Sequence, residues 1–152
     1  KKHLLVQRNP MHTGGSTGEA NTKADDGEDE EKHYFSGIYS SEDIKESIEE
    51  PKHDIHYARD IDITKCNKGV RKTLNLQGRA STDVVWKKIA KGCSVRVLRP
   101  QEYSKTVYGM VALMDEYWGR VAGANAYLTP PNTQGFAPHY DDVDVYILQL
   151  EG

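Results

Sequence analysis

Apolar and polar residues alternate with two different periods along this chain, and each period predicts a set of elements. "HLLVQ" at the amino terminus is short and apolar enough for a strand, which Pro10 ends. In "SSEDIKESIEEP" the pair Ile44 and Ile48 falls on one helical face. Ser40 stands where a cap belongs, Asp43 lies three residues on, and Pro51 stops the run, so a short helix is predicted. "IHYARDIDIT" switches to period two, with Ile55, Tyr57, Ile61 and Ile63 on one side of a half-buried strand. "STDVVWKKIAKG" returns to a helix, capped by Ser81 or Thr82 and closed by Gly92. "CSVRVLRP" then reads as a strand with Val95 and Val97 on one face and Ser94, Arg96 and Leu98 on the other. A longer helix is predicted from about Ser104 to Trp118. Val107, Val111, Met114 and Trp118 form its apolar stripe, which core packing explains, and Gly119 is its stop. From Gly123 the pattern is of strands: "GANAYLT", the turn "PPNTQG", then "FAPHYDD" and "VDVYILQL". Helices first and strands after predict an α+β chain, a helical front piece leading into a β-rich core.

Between the first strand and the first helix lies "HTGGSTGEANTKADDGEDEEK", His12 to Lys32, with no aliphatic residue larger than Ala. It reads as a flexible acidic insertion. From Glu19 to Lys32 it carries seven acids against two lysines, a net of -5, which leaves +2 for the remainder of a chain whose total is -3. A nearly neutral body lacks the basic face that gripping nucleic acid requires, so no direct nucleic-acid partner is expected. The 152 residues suit one domain. The mean hydropathy of -0.73 is polar, and the insertion accounts for much of it. Cys66 and Cys93 form no CxxC, so two unpaired thiols are expected. No run of eighteen apolar residues or signal peptide is seen, and the chain reads as soluble and intracellular, with no membrane partner.

The chemistry concentrates at "FAPHYDD". In a strand, His139 and Asp141 face the same way, at the mouth of an apolar run and just after a Pro-rich turn. A neutral imidazole and a carboxylate so placed supply two ligands of a two-histidine, one-carboxylate triad for non-haem Fe(II), which leaves positions open for a 2-oxo acid and dioxygen. The competing reading is a His and an Asp hydrogen-bonded to each other or to solvent at a strand end. Asp142 points to the opposite strand face, and neither it nor Asp144 is taken as a ligand. His53 and His56 in "HDIH" have a helical spacing inside a predicted strand, which makes a metal role there unattractive.

"AYLTPPNTQGFAPHYDDVDVYILQLEG" resembles the core signature of the JmjC-domain ribosomal oxygenases, with "LTPPNTQGFAPH" nearer the nucleolar branch than the Mina-type branch. The similarity continues upstream through "YFSGIYSSEDI", "RKTLNLQGRA" and "GCSVRVLRPQEYSKTVY". The resemblance implies a partial double-stranded β-helix of the cupin/JmjC jelly-roll type. Residues 1–11 would be an amino-terminal strand of the JmjC region, 12–32 the insertion, 33–122 the front piece and 123–152 the start of the barrel core. It further implies a Fe(II)- and 2-oxoglutarate-dependent dioxygenase, with O2 as second co-substrate, acting on a histidine of a ribosomal protein or on a histone peptide as a lysine demethylase. His139 and Asp141 would bind iron, Asn125 and Tyr127 would line the 2-oxoglutarate and substrate pocket, and Arg96 would contact the target residue. Nuclear and nucleolar localisation is expected with it, and a homo-oligomer is compatible. The family also has a 2-oxoglutarate-binding lysine shortly after "LQLEG" and a distal iron-ligand histidine on a later strand. After His139 this chain has neither Lys nor His, so it is expected to end inside the barrel and to be inactive alone. The alternative from another class is a non-catalytic, cupin-like peptide-binding module.

Overall fold

A computed structural model describes residues 34–136 and 139–152. The expected strand over 1–11 and the acidic insertion over 12–32 lie outside the described residues. The first element is helix α1, Ser41–Glu49. Its start is fixed by a reciprocal cap: the Asp43 amide donates to Ser40 Oγ at 3.1 Å, and the Ser40 amide donates to Asp43 Oδ2 at 2.7 Å. The helix buries Ile44 and Ile48, and a single 3-10 turn follows at Pro51–His53.

The predicted strand over 55–64 is broken, which corrects the reading of the alternating pattern. Ile55 and Tyr57 are buried, but the chain turns at Ala58, whose φ is +66°, and β1 begins only at Ile61 and runs Ile61–Asn67. The break is imposed by Asp60, 2% exposed, whose carboxylate takes the His56 amide at 2.8 Å, Arg59 Nε at 2.7 Å and an Arg99 guanidinium nitrogen at 3.1 Å. A carboxylate buried that deeply persists only with such partners.

Strand β2, Val70–Thr73, follows β1 through Lys68 and Gly69, with φ of +51° and +78°. Two left-handed residues in a row make the mirror-image turn that matches the twist of a hairpin. Helix α2, Thr82–Ile89, starts at Ser81 without a side-chain cap bond and leaves through Gly92, φ +74°. Then come β3, Ser94–Leu98, a 3-10 turn at Pro100–Glu102, α3, Lys105–Trp118, and β4, Asn125–Leu128. Helix α3 starts where predicted, with the Val107 amide donating to Ser104 Oγ at 3.4 Å, and it stops at Gly119 with φ +61°.

The four strands form one antiparallel sheet in the order β2-β1-β3-β4. Helices and strands alternate along the chain, unlike the expected helices-then-strands order. Odd-numbered residues Ile61, Ile63, Val95 and Val97 fill the core with Ile44, Ile48, Val85, Val107 and Val111. The stripe on α3 is buried only in its first half. Trp118 is 44% exposed and stacks on Tyr146 with ring centroids 5.0 Å apart, so core packing does not explain it. The expected strands over "FAPHYDD" and "VDVYILQL" are also corrected: residues 139–152 enter no ladder, and Val143, Val145, Tyr146 and Ile147 are all exposed. A strand exists by pairing, and among the described residues this segment has no neighbour to pair with. Its far end is fixed, because the Ser41 amide at the start of α1 donates to Glu151 Oε1 at 2.9 Å.

Candidate functional site

Opposite the core, the sheet shows a polar face formed by the even-numbered residues of β1 and β3. Its centre is a row across three strands, because Asp62 is in register with Arg96 and Arg96 with Tyr127. The Arg96 guanidinium donates to Asp62 Oδ2, and Tyr127 is its cross-strand neighbour on β4. Burial works against the Arg96 charge, but the Asp62 carboxylate and Tyr127 more than offset it, and the pKa lies above the ordinary arginine value. Asp62 in turn accepts from Asn75 Nδ2 at 2.8 Å through its other oxygen, and Asn75 Oδ1 accepts from the Ile63 amide at 2.7 Å. One Arg96 nitrogen, Nε, is buried with no hydrogen-bond partner among the described residues.

The segment after β4 crosses this face. Thr64 Oγ1 donates to the Gly135 carbonyl at 3.0 Å, and the Cys66 amide donates to the Gln134 carbonyl at 3.0 Å. Ser94 Oγ donates to Thr129 Oγ1 at 2.9 Å. The crossing is so close that a Cβ on Gly135 would stand within 3.0 Å of both Oγ and Cβ of Ser94. Phe136 is thereby laid over the row. Its ring meets Tyr127 edge-on at 5.2 Å, and the Arg96 and Arg71 guanidinium carbons lie 5.5 and 5.2 Å from its centroid. The His139 ring lies 6.4 Å from the Phe136 ring.

His139 and Asp141 share no strand face, since neither lies in a strand, yet they meet: Nε2 and Oδ2 are 3.4 Å apart. Their side chains are 53% and 60% exposed, so the pair opens to solvent. A neutral imidazole and a carboxylate at this separation fit as two adjacent ligands of a non-haem iron. Among the described residues no group of three ligating side chains occurs. Asn125, exposed at the start of β4, is in register with Leu98 at the end of the row's strands.

The structure thus brings Arg96, Tyr127 and, through Phe136, His139 and Asp141 together. Sequence reasoning missed Asp62, Asn75, Phe136 and Arg71. Asp62 was findable, since an acid between two core isoleucines in "IDIT" must sit on the polar face, where an antiparallel partner "SVRV" offers an arginine. The histidines of "HDIH" serve the fold: His53 Nδ1 lies 3.1 Å from the Ser47 carbonyl and His56 Nε2 lies 3.0 Å from Asp54. Cys66 and Cys93 are both free thiols, as expected. A surface depression of about 380 Å3 lined by Ile48, Glu49, Arg79, Ser81 and Asp83 includes none of the row. No helix among the described residues is long and apolar enough to cross a membrane.

Comparison with known proteins converges on the same region. The JmjC domain family matches residues 96–152, from Arg96 in the row to the carboxy-terminal segment. Over 119 residues, 78% of this chain, the sequence is 46% identical to "Ribosomal oxygenase 1" of Gallus gallus, covering 20% of that protein. It is 48% identical over the same length to "Bifunctional lysine-specific demethylase and histidyl-hydroxylase NO66" of Branchiostoma floridae, covering 19% of it. Identity to "Ribosomal oxygenase 1" of Homo sapiens is 42%, with 78% of this chain and 18% of that protein covered. The chain therefore spans about a fifth of the length of these curated relatives.

Proposed function

We propose, from the premise that residues 96–152 belong to the JmjC domain family, that this chain is part of a Fe(II)- and 2-oxoglutarate-dependent protein hydroxylase. What carries the reading is the meeting of His139 and Asp141 inside a segment matching that family, with the His139 ring 6.4 Å from the Phe136 ring that packs on Tyr127. The names of the relatives, an oxygenase of ribosomes and a histidyl-hydroxylase that is also a lysine demethylase, support a histidine of a ribosomal protein as target, with a histone lysine second. The same resemblance supports a nuclear, nucleolar location.

His139 Nε2 and Asp141 Oδ2 would hold the iron, neutral imidazole and ionised carboxylate both offering lone pairs. When bound, the metal with 2-oxoglutarate and O2 supplies the oxidising power that no side chain has. The chain's own residues do the rest. Arg96, whose guanidinium stays charged and has no lone pair, orients an acceptor group of the target by hydrogen bonding. Tyr127 and Asn125 would border the co-substrate, and Phe136 packs on Tyr127 and over the Arg96 guanidinium. In the full-length protein, iron-dependent succinate formation is expected, and His139→Ala or Asp141→Ala removes it. Near wild-type single-turnover decarboxylation in both variants overturns the reading in favour of a non-catalytic peptide-binding module.

A further inference from the structure

The row on the polar face contains a carboxylate and an amide that the proposed chemistry does not use. We propose that Asp62, held by Asn75, is a positioning residue that fixes the charged Arg96 guanidinium and balances its charge within the pair, so that the site selects an uncharged acceptor on the target peptide. This deepens the proposed function and rests on it for the role of Arg96.

The relay is fully specified by partners. The Ile63 amide, on β1, donates to Asn75 Oδ1 at 2.7 Å, which fixes the amide orientation of Asn75. Asn75 Nδ2 donates to Asp62 Oδ1 at 2.8 Å, and Asp62 Oδ2 accepts from Arg96. Each carboxylate oxygen therefore has one assigned donor, and rotation of Asp62 would break both bonds at once. The Asp62 and Arg96 side chains are 14% and 27% exposed, so the pair is mostly withdrawn from solvent and little screened. Phe136 lies over the guanidinium, and Tyr127 is the cross-strand neighbour of Arg96.

Two consequences follow for recognition. An arginine tethered at one nitrogen and covered by the Phe136 ring is restricted in the direction of its remaining donors, and orientation of that kind is what substrate positioning requires. The Arg96–Asp62 pair as a whole has no net charge, so a second carboxylate gains little there, while a peptide carbonyl or an imidazole nitrogen gains a directed hydrogen bond.

The test compares wild type, Asp62→Asn, Asn75→Ala and Arg96→Ala in the full-length protein, with thermal unfolding to establish that each is folded. Two readouts are taken. The first is the Nε–H resonance of Arg96, assigned by its loss in Arg96→Ala, which reports guanidinium order without any turnover. The second is hydroxylation of a synthetic peptide with a central histidine and uncharged neighbours, alongside peptide-independent succinate formation. The expected result for Asp62→Asn is a broadened, faster-exchanging Nε–H signal. The peptide KM rises about tenfold, and fewer hydroxylations occur per succinate formed. Asn75→Ala moves each readout in the same direction by less, and serves if Asp62→Asn does not fold. An unaltered Nε–H signal with KM within about twofold in both variants overturns the proposal. If Arg96→Ala alone raises KM, the proposed function stands and the positioning role falls. If wild type forms no succinate, the proposed function falls, and the Nε–H signal still decides whether Asp62 orders Arg96.

Discussion

Gly135→Ala tests whether the crossing of the polar face holds the site together. The new Cβ would stand within 3.0 Å of both Oγ and Cβ of Ser94, with Thr129 Oγ1 at 3.4 Å. Overlap with Oγ alone could be relieved by rotating the serine, but Ser94 Cβ is fixed to β3. The backbone at 134–135 must therefore lift. Overpacking of this kind costs about 1–3 kcal/mol, and lifting weakens the Thr64–Gly135 and Cys66–Gln134 bonds, each worth about 1 kcal/mol. A loss of about 2–4 kcal/mol is expected, read as a lower denaturant midpoint at unchanged slope. The geometry also dictates which second change rescues it. Ser94→Ala keeps Cβ and does not relieve the overlap, whereas Ser94→Gly removes both offending atoms. The cycle of Gly135→Ala with Ser94→Gly should show a favourable coupling of about 1–3 kcal/mol, and the cycle with Ser94→Ala much less. Equal rescue by both, or a Gly135→Ala midpoint equal to wild type, would refute the close approach as the reason for glycine.

Two further outcomes are expected. Asp60 is pushed up in pKa by burial but pulled further down by the His56 amide and Arg59, so its folded value lies below the ordinary one. Its contribution to stability is therefore complete above about pH 3.9 and lost as pH falls through the folded value. Asp60→Asn should destabilise at pH 7 by about 3 kcal/mol and by progressively less toward pH 2 in parallel unfolding curves, and a pH-independent difference counts against the clamp. Separately, a polypeptide of residues 96–152 alone should show neither α3 helicity nor protected β4 amides by circular dichroism and hydrogen exchange. Native-like protection there would mean that the β1 pairing is dispensable.

How much of this was legible depended on whether an element is set by near or distant residues. Helices α1 and α3 were read correctly because caps and stops are local: Ser40 with Asp43, and Ser104 with Gly119. The break at Ala58–Asp60 was invisible to periodicity, since Ile55, Tyr57, Ile61 and Ile63 share parity and are all buried whether or not a turn intervenes. The cause lies in a carboxylate held partly by Arg99, far along the chain. Strand β2 was missed because all four of its residues are exposed, so it carries no alternation. Only the Lys68–Gly69 turn marked it. In "VDVYILQL" the alternation is real, but alternation describes a side-chain pattern and pairing makes a strand.

The site divides the same way, and the division says what kind of site it is. The approach of His139 to Asp141 is local, but it arises in irregular chain and not on the strand face that their spacing predicts. The placement of Phe136 over Arg96 is not local. It depends on Thr64 and Cys66 in β1 and on Ser94 in β3, which hold or crowd the crossing segment. All three precede the first residue of the JmjC match. Arg96 itself is oriented by Asp62 and Asn75, which also precede it. The residues that would meet iron thus lie in the family segment, while those that aim its arginine and seat its aromatic cover lie in the preceding half. On the proposed function, substitutions at Asp62, Thr64, Asn75 or Ser94 would therefore act through the placement of Arg96 and Phe136 and leave the His139–Asp141 pair itself unaltered.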